Sequence, residues 1–530
     1  MNVYFTAECV FGKAPLECYN SPTALPVTAR RLTRMAASSP ISRPPVVAVM
    51  GHIDHGKSSL LDYIRKSKVV ESEAGGITQH LSAYEVEHES EGEKRKITFI
   101  DTPGHEAFQK MRSRGSAVAD VAVLVVSSED GVKPQTLEAW HAIVGANIPF
   151  VVAITKIDKP NANVERAKAS LLEHGIYLEG MGGTISYVPI SSKTGDGIPE
   201  LLDVVLLAAD LAELTGTTDA PAEGVVIESH RDPKKGVSAT IIIKNGTLSS
   251  GDFGSAGVAI TPTRLMTDFR GKTLKSATFS QPITISGFSD LPPVGAFFTG
   301  HSEKNSAEEA ASLYASERGA LEHTSDENEK AITVALVIKA DVSGSLEAIE
   351  HELMKRQSDD VTVRIVHKGV GGITEGDLKF ATGAAHTAVL GFNVSADTAA
   401  TEWSRRLNVP IASFSIIYKF GEWVDEHIAK MRAEAEKTAP LGKAAVLKVF
   451  SVSKQGQLVG AKVVSGVFKR NYQCALVREG TIVGKGRIDS LKQQKADVDE
   501  IPEGKEFGTL MDMKMEIQAG DEMWCLPHTQ

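Results

Sequence analysis

Residues 46–65 constrain this chain more than any other stretch. They read VVAVMGHIDHGKSSLLDYIR. An apolar, β-branched run, a loop opened and closed by glycine, and a helix-forming run follow one another without a gap. Gly51, His52, Ile53, Asp54, His55, Gly56, Lys57 and Ser58 fit the spacing G-x-x-x-x-G-K-[ST]. Such a loop turns its backbone N–H groups inward, and the helix behind it adds the positive end of its dipole, so the unit suits phosphate. Glycine supplies the unusual φ and the close approach. Lys57 is expected to reach the β- and γ-phosphates and Ser58 to hold Mg²⁺; Ser59 comes next in the chain.

A loop of this kind needs a parallel sheet behind it. Residues 46–214 alternate strand-like runs (46–50, 96–100, 121–127, 150–155) with helical ones (58–65, 135–144). That alternation predicts a doubly wound α/β domain with its ligand loops at the carboxyl ends of the strands. Asp101, Thr102, Pro103 and Gly104 form D-x-x-G at one such end. Asp101 is expected to hold Mg²⁺ through water, and the Gly104 amide to read the γ-phosphate. Thr78, in the stretch GGITQH, is a candidate second Mg²⁺ ligand.

The base is chosen by Thr155, Lys156, Ile157 and Asp158. A carboxylate can accept both the ring N–H and the exocyclic amino N–H of guanine. Adenine offers no such donor pair, and an acceptor left unpaired costs about 1–3 kcal/mol. Ser191, Ser192 and Lys193 stand where a further guanine contact is expected. His105 follows the γ-phosphate sensor directly, a position from which a side chain can orient the attacking water. It is the candidate catalytic residue of a GTPase.

A chain of 530 residues implies several domains. Glycine and Asn-Gly turns between short strand-like runs predict a β-barrel over 215–305. A linker is expected over 306–330, an α/β module over 331–420, a connecting helix over 421–440 and a second barrel over 441–530. Residues 1–45 are expected to be a disordered leader. No apolar run reaches bilayer length, so no membrane partner is expected. Four cysteines are too few and too scattered for a disulfide scaffold.

The net charge of −10 argues against a protein that coats nucleic acid indiscriminately. Between Lys443 and Lys495, however, eleven Lys and Arg face two acids. From composition, a phosphate-binding face and a merely solvated basic face stand equal.

The stretches GHIDHGKSS, GGITQH, DTPGHEAF, SEDGVKPQT and TKID resemble those of a translational GTPase. With KADVSGSLEAI, HKGVGGITEGD, GFNVSAD and KVFSVSKQGQLVGAKVVSGVFKRN, the chain resembles bacterial-type translation initiation factor two over about residues 44–525. The resemblance implies GTP and Mg²⁺ as ligands. It implies as partners the small and large ribosomal subunits, formylmethionyl initiator tRNA and other initiation factors. It also implies a ribosome-stimulated hydrolysis in which His105 matches the catalytic histidine. A monomer in a bacterial cytoplasm is expected over an organellar protein.

By the same resemblance the basic stretch of the last barrel reads as RNA contact, with Lys469, Arg470, Glu506 and Gly508 as candidate tRNA residues. Two departures stand out. Thr155 replaces the usual asparagine, and Ala461 and Phe507 stand where family members carry cysteines. An elongation-type tRNA carrier and a GTP-gated scaffold with negligible hydrolysis are the alternatives.

Overall fold

A computed structural model describes residues 40–66, 78–318, 332–358, 361–382, 387–438, 440–453, 456–478, 481–493, 496–513 and 515–527. The expected leader up to residue 39, Gly75–Ile77 and residues 319–330 of the expected linker lie outside them. Pro40–Pro45 belongs to the folded body. Ile41–Ser42 pairs antiparallel with Thr215–Gly216, and Arg43 forms a bidentate pair with the Asp120 carboxylate, both distances 2.7 Å.

The first domain is a six-stranded sheet in the order Ser82–Ser90, Glu93–Asp101, Val46–Gly51, Val121–Ser127, Phe150–Thr155, Tyr187–Pro189. Only the first pair is antiparallel. Its two faces follow from the period of two in the sequence. Val47, Val49, Val121, Val123 and Val125 pack with Leu60, Leu61, Leu201 and Val205 on one side. Ala48, Met50, Ala122, Leu124 and Val126 pack with Ala139, Ile143, Ala167 and Leu171 on the other. A sheet covered on both faces buries nearly continuous apolar strands, as these are.

The second domain is antiparallel, eight strands in one sheet over 223–301, and forms the expected barrel. A helix, Lys304–Arg318, begins at the end of the expected barrel, covers the first part of the expected linker and lies against the strand Phe253–Ala256. The third domain is a parallel sheet ordered Val361–Val370, Ile332–Ala340, Ala388–Phe392, Ile411–Phe414. The long helix after it starts at Ile417 and runs to Thr438, earlier than the expected 421. Its first turns are packing surface: Ile417, Phe420, Val424, Ile428 and Met431 recur at helical spacing and are buried in the third domain's core.

The last domain is a closed barrel of six long strands. The path Gly442–Ser453, Glu522–Leu526, Gln473–Arg478, Thr481–Gln493, Glu506–Asp512, Gly456–Lys469 returns to its first strand. The fold class is thus multidomain α/β and β, with two barrels. Among the described residues no helix is long and apolar enough to cross a membrane.

Candidate functional site

A cleft of about 380 Å³ opens at the carboxyl ends of the first domain's parallel strands. Ile53, Asp54, Gly56, Lys57, Ser58 and Ser59 line it from the phosphate loop. Thr78, Gly104, His105, Thr155, Lys156, Asp158, Ser192 and Lys193 complete the wall, together with Lys159, which sequence reasoning missed. The remaining candidates stand behind this lining. Gly51 has φ 149°, and a β-carbon there would lie 2.4 Å from the carbonyl oxygen of Val125. His55 is buried, its imidazole pushed down to about 3 by burial. Thr102 donates to the carbonyl of Val49 at 2.8 Å and ties the DTPG turn to the neighbouring strand.

Lys57 is buried, and its ammonium donates to the carbonyls of Gly51 at 2.9 Å and His52 at 2.6 Å. Burial pulls its pKa down to about 8. A β-carbon at Gly104 would lie 2.5 Å from that ammonium. A side chain at 104 would have to displace that ammonium, so close approach and not unusual φ is what favours glycine there. Ser58 Oγ lies 2.9 Å from Thr78 Oγ1, and Thr78 Oγ1 donates to Asp101 Oδ2 at 3.5 Å. Two hydroxyls and a carboxylate thus converge beside Lys57. Such a hard oxygen set fits Mg²⁺, which keeps several waters and takes few protein ligands.

His105 opens a short 3₁₀ turn, Glu106–Phe108, that leads into the helix Gln109–Val118. Its Nδ1 accepts from the Ala107 backbone N–H at 2.9 Å. The ring is buried against Tyr418, centroids 4.3 Å apart. Burial, the largest cause, lowers its pKa below 6.5. The imidazole is therefore neutral near pH 7. With Nδ1 used as an acceptor, its proton sits on Nε2.

At the far end of the cleft, Ser191 Oγ donates to Asp158 Oδ1 at 2.8 Å and holds that carboxyl below its usual range. Thr155 Oγ1 donates to the carbonyl of His55 at 2.5 Å and lies 3.3 Å from that of Val126. Its hydroxyl joins the end of the strand Phe150–Thr155 to the phosphate loop.

Of the four tRNA candidates, Glu506 and Gly508 lie on one strand, and Lys469 and Arg470 stand at the end of the strand paired with it. Glu506 pairs with Lys462 and Gly508 with Gly460. Lys469 lies seven residues beyond Lys462 on the same strand, past Gly466, whose φ is 74°. It sits 3.4 Å from Glu500 instead. Phe507 points into the barrel, 4% exposed, with its ring centre 5.2 Å from that of Phe468. Ala461, opposite it in the ladder, leaves the room that the larger ring takes.

The fold and the cleft define a GTP-binding domain of the translation-factor class. Residues 43–210 match the family Elongation factor Tu GTP binding domain, and residues 221–301 match Elongation factor G domain 2. Residues 310–425 match Translation-initiation factor 2. Over 90% of its length the chain is related to proteins named Translation initiation factor IF-2, which is the family recognised from the motifs. It is 42% identical to that of a Nitratiruptor species over 496 residues. It is 40% identical to that of Carboxydothermus hydrogenoformans over 493 residues. The chain spans 58% and 59% of the length of these relatives. Among solved structures it is similar to GDP-bound aIF5B from Aeropyrum pernix, at 28% identity over 92% of each chain with a TM-score of 0.46.

Proposed function

We propose that this protein is a translation initiation GTPase. It binds GTP with Mg²⁺, carries formylmethionyl initiator tRNA on its last barrel, and promotes joining of the small and large ribosomal subunits. It works as a monomer with other initiation factors in a bacterial cytoplasm. The observation that carries the reading is the convergence of Lys57, Ser58, Thr78, Asp101, Gly104 and His105 on one cleft.

The residues divide the work by geometry. Asp158, held by Ser191, reads guanine through its two N–H groups, and Thr155 fixes the loop beneath. Lys57 exchanges its two carbonyl partners for phosphate oxygens, whose negative charge favours the charged form of a desolvated ammonium. Ser58, Thr78 and Asp101 would hold Mg²⁺, which when bound neutralises charge on the β- and γ-phosphates. The neutral His105, protonated on Nε2, orients water as a hydrogen-bond donor. Ribosomal contact brings the ring to the γ-phosphate, so hydrolysis is slow without it.

The test is GTP turnover by the full chain with and without 70S ribosomes, alongside light scattering of subunit joining with formylmethionyl-tRNA and unformylated methionyl-tRNA. The reading expects ribosome-dependent turnover and joining favoured by the formylated form. Fast turnover by the isolated chain would contradict the gating. Joining indifferent to formylation would remove the initiator-tRNA step.

A further inference from the structure

Arg112 has no role among the groups that face the cleft, yet it is one of the most deeply buried side chains of the first domain, 1% exposed. A guanidinium kept from water persists where it is paired and fully hydrogen-bonded. Its Nη1 donates to the carbonyl of His105 and lies 3.4 Å from the carbonyl of Pro103. Its Nη2 donates to Glu138 Oε2 at 2.6 Å.

The two carbonyls bracket Gly104. The Pro103 carbonyl and the Gly104 N–H belong to one planar trans peptide, so they point in opposite directions. Drawing that carbonyl toward Arg112 turns the Gly104 N–H away from it, on the residue that lines the cleft beside Lys57. Glu138 stands one turn beyond Gln135 on the helix Pro134–Ala146. Gln135 Oε1 accepts from the phosphate-loop N–H of Ile53 at 3.1 Å. One helix therefore holds both walls of the γ-phosphate position, the phosphate loop through Gln135 and the Gly104 turn through Glu138 and Arg112.

We infer that Arg112 and Glu138 are a positioning pair that aims the Gly104 amide and thereby sets the preference for guanosine triphosphate over diphosphate. The inference rests on the GTP-binding reading and names residues that never touch the nucleotide. Lysine cannot replace arginine here, because an ammonium lacks the planar fork that spans two carbonyls and a carboxylate.

The test is fluorescence titration of the full chain, with Mg²⁺, by N-methylanthraniloyl-GDP and by the β,γ-imido analogue of N-methylanthraniloyl-GTP. Arg112→Lys is expected to lose about tenfold more affinity for the triphosphate analogue than for the diphosphate, and Glu138→Gln a smaller factor in the same direction. Arg112→Ala should show the largest ratio. If thermal melting shows that variant unfolded, the other two decide. Equal losses for both nucleotides, or an unchanged ratio, would overturn the inference while leaving nucleotide binding intact. Failure of the unsubstituted chain to bind either nucleotide would overturn the GTP reading and this inference with it.

Discussion

The imidazole of His105 lies against the phenol ring of Tyr418, with ring centres 4.3 Å apart and planes inclined by 56°. His105 follows the DTPG turn of the first domain, and Tyr418 stands in the first turn of the helix that leaves the third. The tyrosine is 48% exposed and the histidine 7%, so the phenol is the layer between imidazole and water. Other contacts seal the same seam: Gln79 Nε2 donates to the Ser415 carbonyl at 2.9 Å, and Lys355 pairs with Glu106 at 3.0 Å.

Removing that layer should move the titration of His105. Burial is the main cause of its lowered pKa, so Tyr418→Ala should raise it toward 6.5, and Tyr418→Phe should leave it where it is. Imidazole NMR resonances followed against pH measure this directly. An unmoved titration in the alanine variant would mean that the ring does not keep water from His105.

His105→Ala should lower ribosome-stimulated GTP turnover by about 10²–10⁴-fold, the usual contribution of a positioned acid–base group. Nucleotide binding should change little, because no phosphate-loop contact passes through the ring. Single-turnover hydrolysis beside equilibrium binding separates the two. A comparable loss in both would place His105 in binding rather than in hydrolysis.

Thr155→Ala deletes the hydroxyl that ties the end of the strand Phe150–Thr155 to the His55 carbonyl. A hydrogen bond of this kind contributes about 0.5–1.5 kcal/mol, so guanine nucleotides should bind roughly 2- to 10-fold more weakly. The selectivity for guanine over adenine should persist, since Asp158 and Ser191 are untouched. Competition titrations with GDP and ADP report both quantities, and a collapse of selectivity would show that Thr155 itself reads the base.

Glu228 lies at the seam between the second and third domains, where it accepts from Ser229 N–H at 3.1 Å and Gly344 N–H at 3.3 Å. Burial pushes its carboxyl up to about 8. The folded chain therefore holds a proton that the unfolded chain releases near 4.5. Its contribution to stability is complete below pH 4.5 and declines as pH rises to 8, by about 1.4 kcal/mol per pH unit. Glu228→Gln should gain stability relative to the unsubstituted chain as pH rises from 5 to 8. Urea unfolding across that range is the check, and a pH-independent difference would refute the titration.

Phe507→Ala should destabilise the last barrel by about 3–5 kcal/mol, the usual cost of emptying a buried aromatic site. The ring fills core space beside Phe468 and has small Ala461 opposite it. Denaturant unfolding of the full chain with Trp140, Trp403 and Trp423 replaced by Phe, followed by Trp524 fluorescence, would detect it. A loss below about 1 kcal/mol would mean that the barrel closes over the gap.

The nucleotide end of this protein is legible because its signals are local. Asp101 ends an apolar strand, and Lys57, Ser58, Gly104 and Asp158 each follow the end of one within seven residues, in the segments that wall the cleft. The strand Ser82–Ser90 is not legible in the same way. It is an edge strand, its acids face water, and only Ala83 and Tyr84 are buried. Nor does the start of the helix at Ile417 announce itself, because a β-branched, aromatic opening turn carries no strong helix propensity. Packing against the third domain's core decides it.

The sequence by itself determined the order of the domains, the phosphate loop, the turn at Asp158 and the histidine after DTPG, because each follows from neighbours a few bonds away. Tertiary structure alone decided that Tyr418 covers His105, that Arg112 and Glu138 hold the turn around Gly104, and that Phe507 faces inward. Those relations join residues far apart in the chain. Only the burial of whole surfaces against one another brings such groups within reach, and no spacing along the chain encodes that distance.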